Sequence, residues 1–170
     1  LTRNIPAFAK FLEADSLTHG QLLNYTNVAR DCGVCAKTVR EYYHILEDTL
    51  LGHTLEPWRK RKDRRLIETA KFYLFDPGVA RALAGMRQIQ AGSSEFGYAF
   101  EHFLLEEVRA YLSYTEQYHP VSFWRTSTGL EVDVIVGDLE LAIECKAVPQ
   151  VDERHTKGLR ALMEDQTVKR

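Results

Sequence analysis

Three cysteines in 170 residues cannot build a disulfide framework. Two of them, Cys32 and Cys35, form a lone Cys-x-x-Cys with no second such pair and no His pair to complete a zinc site. They point to a reducing, cytoplasmic setting, with all three thiols packed as small hydrophobes. The chain also lacks any long apolar run and any signal-like start, so neither a membrane span nor secretion is indicated. It has no Gly-x-x-x-x-Gly-Lys-Ser/Thr segment, which excludes nucleotide binding through a P-loop of its own. Charge of one sign is missing too: 22 basic against 24 acidic side chains leave a net −2, so any contact with a polyanion must come from a local patch. What the chain does have is 45% hydrophobic content, enough to bury a core.

The most informative stretch is Glu131-Val132-Asp133-Val134-Ile135-Val136, then Gly137-Asp138, then Leu139-Glu140-Leu141-Ala142-Ile143-Glu144-Cys145-Lys146. Both runs alternate with the period of two of half-buried strands, and Gly-Asp between them predicts a two-residue hairpin turn. Val132, Val134 and Val136 then share a face with Leu139, Leu141, Ile143 and Cys145, and the other face carries Glu131, Asp133, Glu140, Glu144 and Lys146. With a two-residue turn Asp133 opposes Ala142, Glu131 opposes Glu144, and Asp133 and Glu144 are diagonal neighbours, with backbones roughly 7–8 Å apart. Two carboxylates so placed suit a hard divalent cation such as Mg²⁺ or Mn²⁺, and Lys146 beside them could orient a water or neutralise a phosphate. A solvated hairpin face is the competing reading of the same residues.

The first part of the chain reads as helical. Ile5, Phe8, Ala9, Phe11 and Leu12 give one apolar face, and Asn24 is placed to cap a helix over 25–31. Val39, Tyr42 or Tyr43, Leu46 and Leu50 give the inward face of a helix from Ala36 to about Leu50. Ala29, Gly33 and Val39 have helix-turn-helix spacing: a small residue for close approach, a glycine for the turn, an apolar anchor in the second helix. Lys37, Thr38, Arg40 and His44 then face outward. The segment 51–75 would supply the strands of a wing, and it contains the run Arg59-Lys60-Arg61-Lys62-Asp63-Arg64-Arg65, able to neutralise phosphates without conferring sequence specificity. A protein-interaction module is the alternative use of such a domain.

Gln88 to Ser94 reads as a linker ending in a helix start. In the helix from Glu95 to about Leu112, Phe96, Phe100, Phe103, Leu104, Val108 and Tyr111 form the expected apolar face. Glu101 lies at its border, Glu106 and Arg109 point away, and Glu107 falls near its centre, within reach of Arg125. Glu101 could join a cation at Asp133 and Glu144, or pair with Arg125 or Lys146 for structural reasons alone. A strand over 121–125 and a helix from Glu153 to about Glu164 complete the order. His155, Lys157 and Arg160 on that last helix face either phosphate or water.

Asp-x(n)-Glu-x-Lys on consecutive strands resembles the core motif of the restriction-endonuclease-like superfamily. That resemblance implies Asp133 and Glu144 as Mg²⁺ ligands, Lys146 as a catalytic group and Glu101 on the preceding helix as the completing ligand. More narrowly, Thr38-Val39-Arg40 to Ile45-Leu46-Glu47-Asp48, Lys71-Phe72-Tyr73 with Asp76 and Gly78, Gly97 with Phe100-Glu101, Trp124-Arg125, Gly129 with Glu131-Val132-Asp133, and Ile143-Glu144-Cys145-Lys146 resemble domain of unknown function 4143. This is the carboxy-terminal part of many AAA-type ATPases, so ATP would act only through a domain upstream. The start at Leu1 rather than Met, and an end near a helix past which family members continue, agree with a fragment of a longer protein.

The expectation is therefore an α/β (α+β overall) chain: a winged helix-turn-helix over 1–86, then a restriction-endonuclease-like mixed sheet flanked by helices over 87–170. Its expected function is Mg²⁺-dependent phosphodiester hydrolysis on nucleic acid, DNA before RNA, with Lys37, Thr38, Arg40, Arg59, Lys60 and Arg61 as the binding residues and with an oligomer permitted. The alternative is a catalytically inactive DNA-binding or protein-interaction module that regulates the ATPase domain.

Overall fold

A computed structural model describes residues 4–59, 69–86 and 88–165. It divides into two compact units, one of Leu1–Thr54 with Ala70–Ile89 and one of Leu55–Thr69 with Gln90–Arg170. The described secondary structure comprises five β-strands, six α-helices and one 3-10 turn.

The first unit is built on α1 (Ile5–Leu17), α2 (Tyr25–Cys32), α3 (Ala36–Asp48), β2 (Lys71–Leu74) and α4 (Pro77–Leu83), together with the start of β1 (Gly52–Pro57). Local chemistry sets the helix limits. The Asn4 and Asn24 side chains accept from the Ala7 and Asn27 N–H groups at 3.1 and 3.0 Å, and Asp76 accepts from Val79 at 2.9 Å. Gly33 ends α2 at φ 69°, where its own N–H and that of Val34 bond back to Arg30 and Ala29. That left-handed turn starts α3 three residues later and brings Val39, Tyr42, Tyr43 and Leu46 onto Phe11, Val28, Ala29, Cys32 and Phe72.

Three details differ from the expected pattern. The inward face of α1 runs through Ala7, Phe11 and Asp15 at i, i+4 and i+8, while Ile5 is 72% exposed. Leu50 lies beyond the end of α3 at φ 59° and faces solvent, because Thr49 has already capped the helix. Cys35 is exposed in the turn before α3, whereas Cys32 is buried; all three cysteines are free.

The second unit takes the end of β1, α5 (Ser94–Tyr114), β3 (Val121–Arg125), β4 (Glu131–Val136), β5 (Leu141–Ile143), the 3-10 turn Glu153–Thr156 and α6 (Lys157–Asp165). Glu56 and Pro57 of β1 pair in parallel with Ser122 and Phe123, so the segment expected as a wing contributes a strand beside β3. β3, β4 and β5 are antiparallel neighbours. Val132 through Val136 are all buried, which marks β4 as a strand covered on both faces, with Trp58, Trp124, Val132, Ile135, Leu139 and Leu162 in one cluster.

The hairpin has a four-residue connection rather than the two-residue turn predicted. Val136 pairs with Leu141, Ile135 with Ala142 and Val134 with Ile143. Leu139 takes φ 63° and buries its side chain, at 1% exposure, so residues 137–140 all belong to the turn. The register moves by two residues, which leaves Leu141, Ala142 and Ile143 on their predicted faces, while Leu139 and Glu140 pass from the strand to the turn.

Candidate functional site

β4 delivers Asp133 into the interior at 6% exposure. Continuing the observed register sets Glu144 directly across from it, in place of the diagonal relation predicted. The ladder stops at Ile143, and one residue beyond Glu144 the Cys145 N–H donates to Asp133 Oδ2 at 2.6 Å. A side chain on β4 thus takes a backbone donor that a longer β5 would have used. Glu144 leaves one oxygen, Oε1, to the Lys146 ammonium, which also donates to the Cys145 carbonyl at 3.2 Å. Its other oxygen, Oε2, is buried and has no hydrogen-bond partner. Gly158 of α6 packs here so closely that a Cβ would strike the Glu131 carbonyl and come within 3.2 Å of Glu144 Oε2.

Glu101 approaches from α5. The buried side of that helix carries His102, Leu105 and Leu112, with Glu101 and Val108 on its flank, while Phe96, Phe103 and Tyr111 are 36%, 50% and 61% exposed. The face is therefore rotated from the one that aromatic spacing predicts. Glu107 is exposed rather than central. Glu106 turns inward to lie 3.7 Å from Nε2 of the buried His102, a residue whose place in the interior the sequence did not signal. Arg125 is taken by its cross-strand neighbour Glu131 at 2.7 Å, which settles its pairing against Glu107.

The charges act on one another. Burial, then the Glu101 carboxylate, push Asp133 up to about 7, against the pull of the Cys145 N–H. Burial raises Glu144 despite its bond to Lys146, and Glu131 and Glu101 add to the effect. Burial works to lower Lys146, but Glu144, Asp133 and Glu101 together hold it above its ordinary value. The Cys145 thiol, pushed up to about 12 by burial and then by Asp133, stays neutral.

Glu101, Asp133, Glu144 and Lys146 therefore form one electrostatic cluster. Among the described residues, however, no three acidic, His or Cys side chains lie close enough to ligate a single ion as they stand. The donor chemistry nevertheless fits a hard cation: the cluster offers carboxylate oxygens, one of them buried without a partner, and burial, reinforced by like charge, keeps Asp133 from ionising freely.

Of the expected nucleic-acid residues, Lys37, Thr38 and Arg40 belong to the first unit. Lys37 is exposed in the first turn of α3, Thr38 is half-buried with its hydroxyl 3.4 Å from Cys35 Sγ, and the Arg40 guanidinium sits 4.8 Å from the centre of the Tyr25 ring. Arg59 is exposed, and Lys60 and Arg61 fall outside the described residues. In the 3-10 turn His155 turns back to Asp152 at 3.1 Å, and on α6 Arg160 lies 3.7 Å from Glu153. No helix among the described residues is long and apolar enough to cross a membrane.

Comparison with known proteins adds the following. Residues 1–90 match the model described as Domain of unknown function (DUF8612), and residues 96–170 match Domain of unknown function (DUF4143). Uncharacterized protein Mb2031c of Mycobacterium bovis and Uncharacterized protein Rv2008c of Mycobacterium tuberculosis are each 32% identical over 120 residues, 69% of this chain. The match spans about a quarter of their length, 26% of each. No solved structure matches the chain significantly.

Proposed function

Because the chain belongs to the DUF8612 family and continues into a DUF4143 domain, we propose that it is the carboxy-terminal part of an AAA-type ATPase, with a Mg²⁺-dependent nuclease centre at Asp133, Glu144, Lys146 and Glu101. The observation that carries this reading is the buried Asp133 raised to about 7 beside two further carboxylates and a lysine. Desolvating three acids together is costly unless a cation shares the site or a proton is taken up.

Asp133 and Glu144 would hold the ion and Glu101 would complete its shell. A bound Mg²⁺ would supply charge stabilisation to a phosphodiester and a more acidic water. Lys146, held positive by its acidic neighbours, would neutralise charge on the phosphate once Glu144 turns to the cation. Gly158 keeps α6 against β4 and so limits where Glu144 can go. Lys37, Thr38 and Arg40 would meet the backbone of DNA, with Arg59, Lys60 and Arg61 adding charge.

The second reading, a catalytically inactive module that regulates the ATPase domain or binds DNA or protein, is favoured by two specific observations. Lys146 already neutralises Glu144, and the three acids do not close on a single point. Titration calorimetry with Mg²⁺ and Mn²⁺ on the wild type and Asp133→Ala separates the two. Saturable binding lost in the variant is expected, and identical heats would refute the metal site. A cleavage assay on single- and double-stranded DNA and RNA, with Lys146→Ala as control, then tests turnover: cleavage that survives the substitution places the activity elsewhere.

A further inference from the structure

Within the first unit lies a cavity of about 270 Å³, close to the low end of small-molecule sites at about 300–1,000 Å³. Asp15, Asp31, Asn24, Asn27, Tyr43 and Phe72 are among its lining residues, and among the described residues no lysine or arginine is. Asp15 is 2% exposed, and its Oδ2 has no hydrogen-bond partner. The Tyr43 hydroxyl, also buried in this wall, is close enough to act on Asp15 but closes no hydrogen bond of normal geometry with it. Leaving a buried carboxylate oxygen without a partner is destabilising, and a helical core could avoid it by placing an apolar residue at this turn of α1.

We propose that this cavity is a binding site for a small primary amine on a short apolar stem, its ammonium group seated against Asp15 and its stem against the apolar wall that includes Phe72. The second carboxylate, Asp31, gives the lining a net negative character, and Asn24 and Asn27 offer carbonyl oxygens to the remaining N–H groups. A bare metal ion fits less well, since no three-ligand group exists among the described residues.

Burial pushes Asp15 up to about 7, with Tyr43 pulling the other way. Tyr43 of α3 acts on it directly, and Asp31 of α2 lines the same cavity; α2 and α4, both packed against α1, also carry Tyr25, Cys32 and Arg81, α1 itself carries Lys10 and Glu13, and Lys71 begins β2. An ammonium ion must therefore displace a proton from Asp15 to bind at neutral pH.

Calorimetry of the full chain with n-butylamine tests this. One saturable site is expected at pH 8, about tenfold weaker at pH 6, where a group titrating near 7 is about one-tenth ionised. At pH 7 about half a proton should be released per amine bound, read from the difference between phosphate and Tris buffers. Asp15→Asn should weaken binding at least tenfold and abolish the proton release. Absence of saturable binding, binding without proton release, unchanged affinity in Asp15→Asn, or a response to Mg²⁺ instead of the amine would each overturn the proposal.

Discussion

Replacing Asp133 by Asn in metal-free protein tests whether the candidate site is poised as its electrostatics indicate. Burial and then Glu101 raise this carboxyl from 3.8 to about 7 in the folded chain. A raised folded value means that the folded state holds a proton the unfolded chain has released. The contribution is thus fully present below about pH 4 and is lost as pH rises through 7. Between pH 5 and pH 8 about two units of that interval are crossed, which at about 1.4 kcal/mol per unit makes the wild type lose about 3 kcal/mol from this group alone. Asn keeps the shape, can still accept from the Cys145 N–H and does not titrate. Urea unfolding in EDTA should therefore show Asp133→Asn gaining about 3 kcal/mol on the wild type between pH 5 and pH 8. Tryptophan emission is the suitable probe, because the two tryptophans, Trp58 and Trp124, lie in the same cluster as Val132, and the similarly raised Asp15 belongs to the other unit. Parallel pH profiles for the two proteins would refute the reasoning, since they would mean that Asp133 ionises in the fold as easily as in water. Mg²⁺ should reverse the trend by favouring the ionised form, stabilising the wild type more at pH 8 than at pH 5.

Two further substitutions test the framework around the sites. Gly158→Ala should destabilise the second unit by about 1–3 kcal/mol, measured by urea unfolding, because its methyl would collide with the Glu131 carbonyl and force α6 away from β4. An unchanged midpoint would show that α6 does not depend on that close approach. Phe11→Ala should cost about 3–5 kcal/mol in unfolding followed by circular dichroism, since Phe11 is fully buried with its ring centre 5.2 and 4.8 Å from those of Tyr42 and Tyr43. A cost under 1 kcal/mol would mean that the three-ring cluster collapses without loss.

The candidate cluster was legible in part, for reasons that differ residue by residue. Alternation along 131–136 and 139–146 was enough to set Asp133, Glu144 and Lys146 on one side, because parity survives any register shift of two. The register itself was not readable: Leu139 is an apolar residue in a conformation usually left to glycine, and a dipeptide rule cannot anticipate its burial. On α5 the many aromatics drew the expected face toward Phe96, Phe103 and Tyr111, whereas the helix buries His102, Leu105 and Leu112. The burial of Asp15 is not plainly legible in the sequence, because a lone carboxylate near the end of an amphipathic helix reads as solvated. The spacing of Ala7, Phe11 and Asp15 was the available signal.

By itself the sequence determined what neighbouring residues decide: the caps at Asn4, Asn24 and Asp76, the glycine turn at Gly33, and the two-sided pattern of the hairpin. These depend on hydrogen bonds and steric limits within a few positions. Only the tertiary structure decided that the strand register brings Glu144 opposite Asp133, that Glu101 comes near enough to shift it, and that Asp15 is buried in a cavity wall with its Oδ2 unpaired. Those outcomes rest on which distant surfaces exclude water from a charge, and desolvation is a property of the assembled fold rather than of any segment.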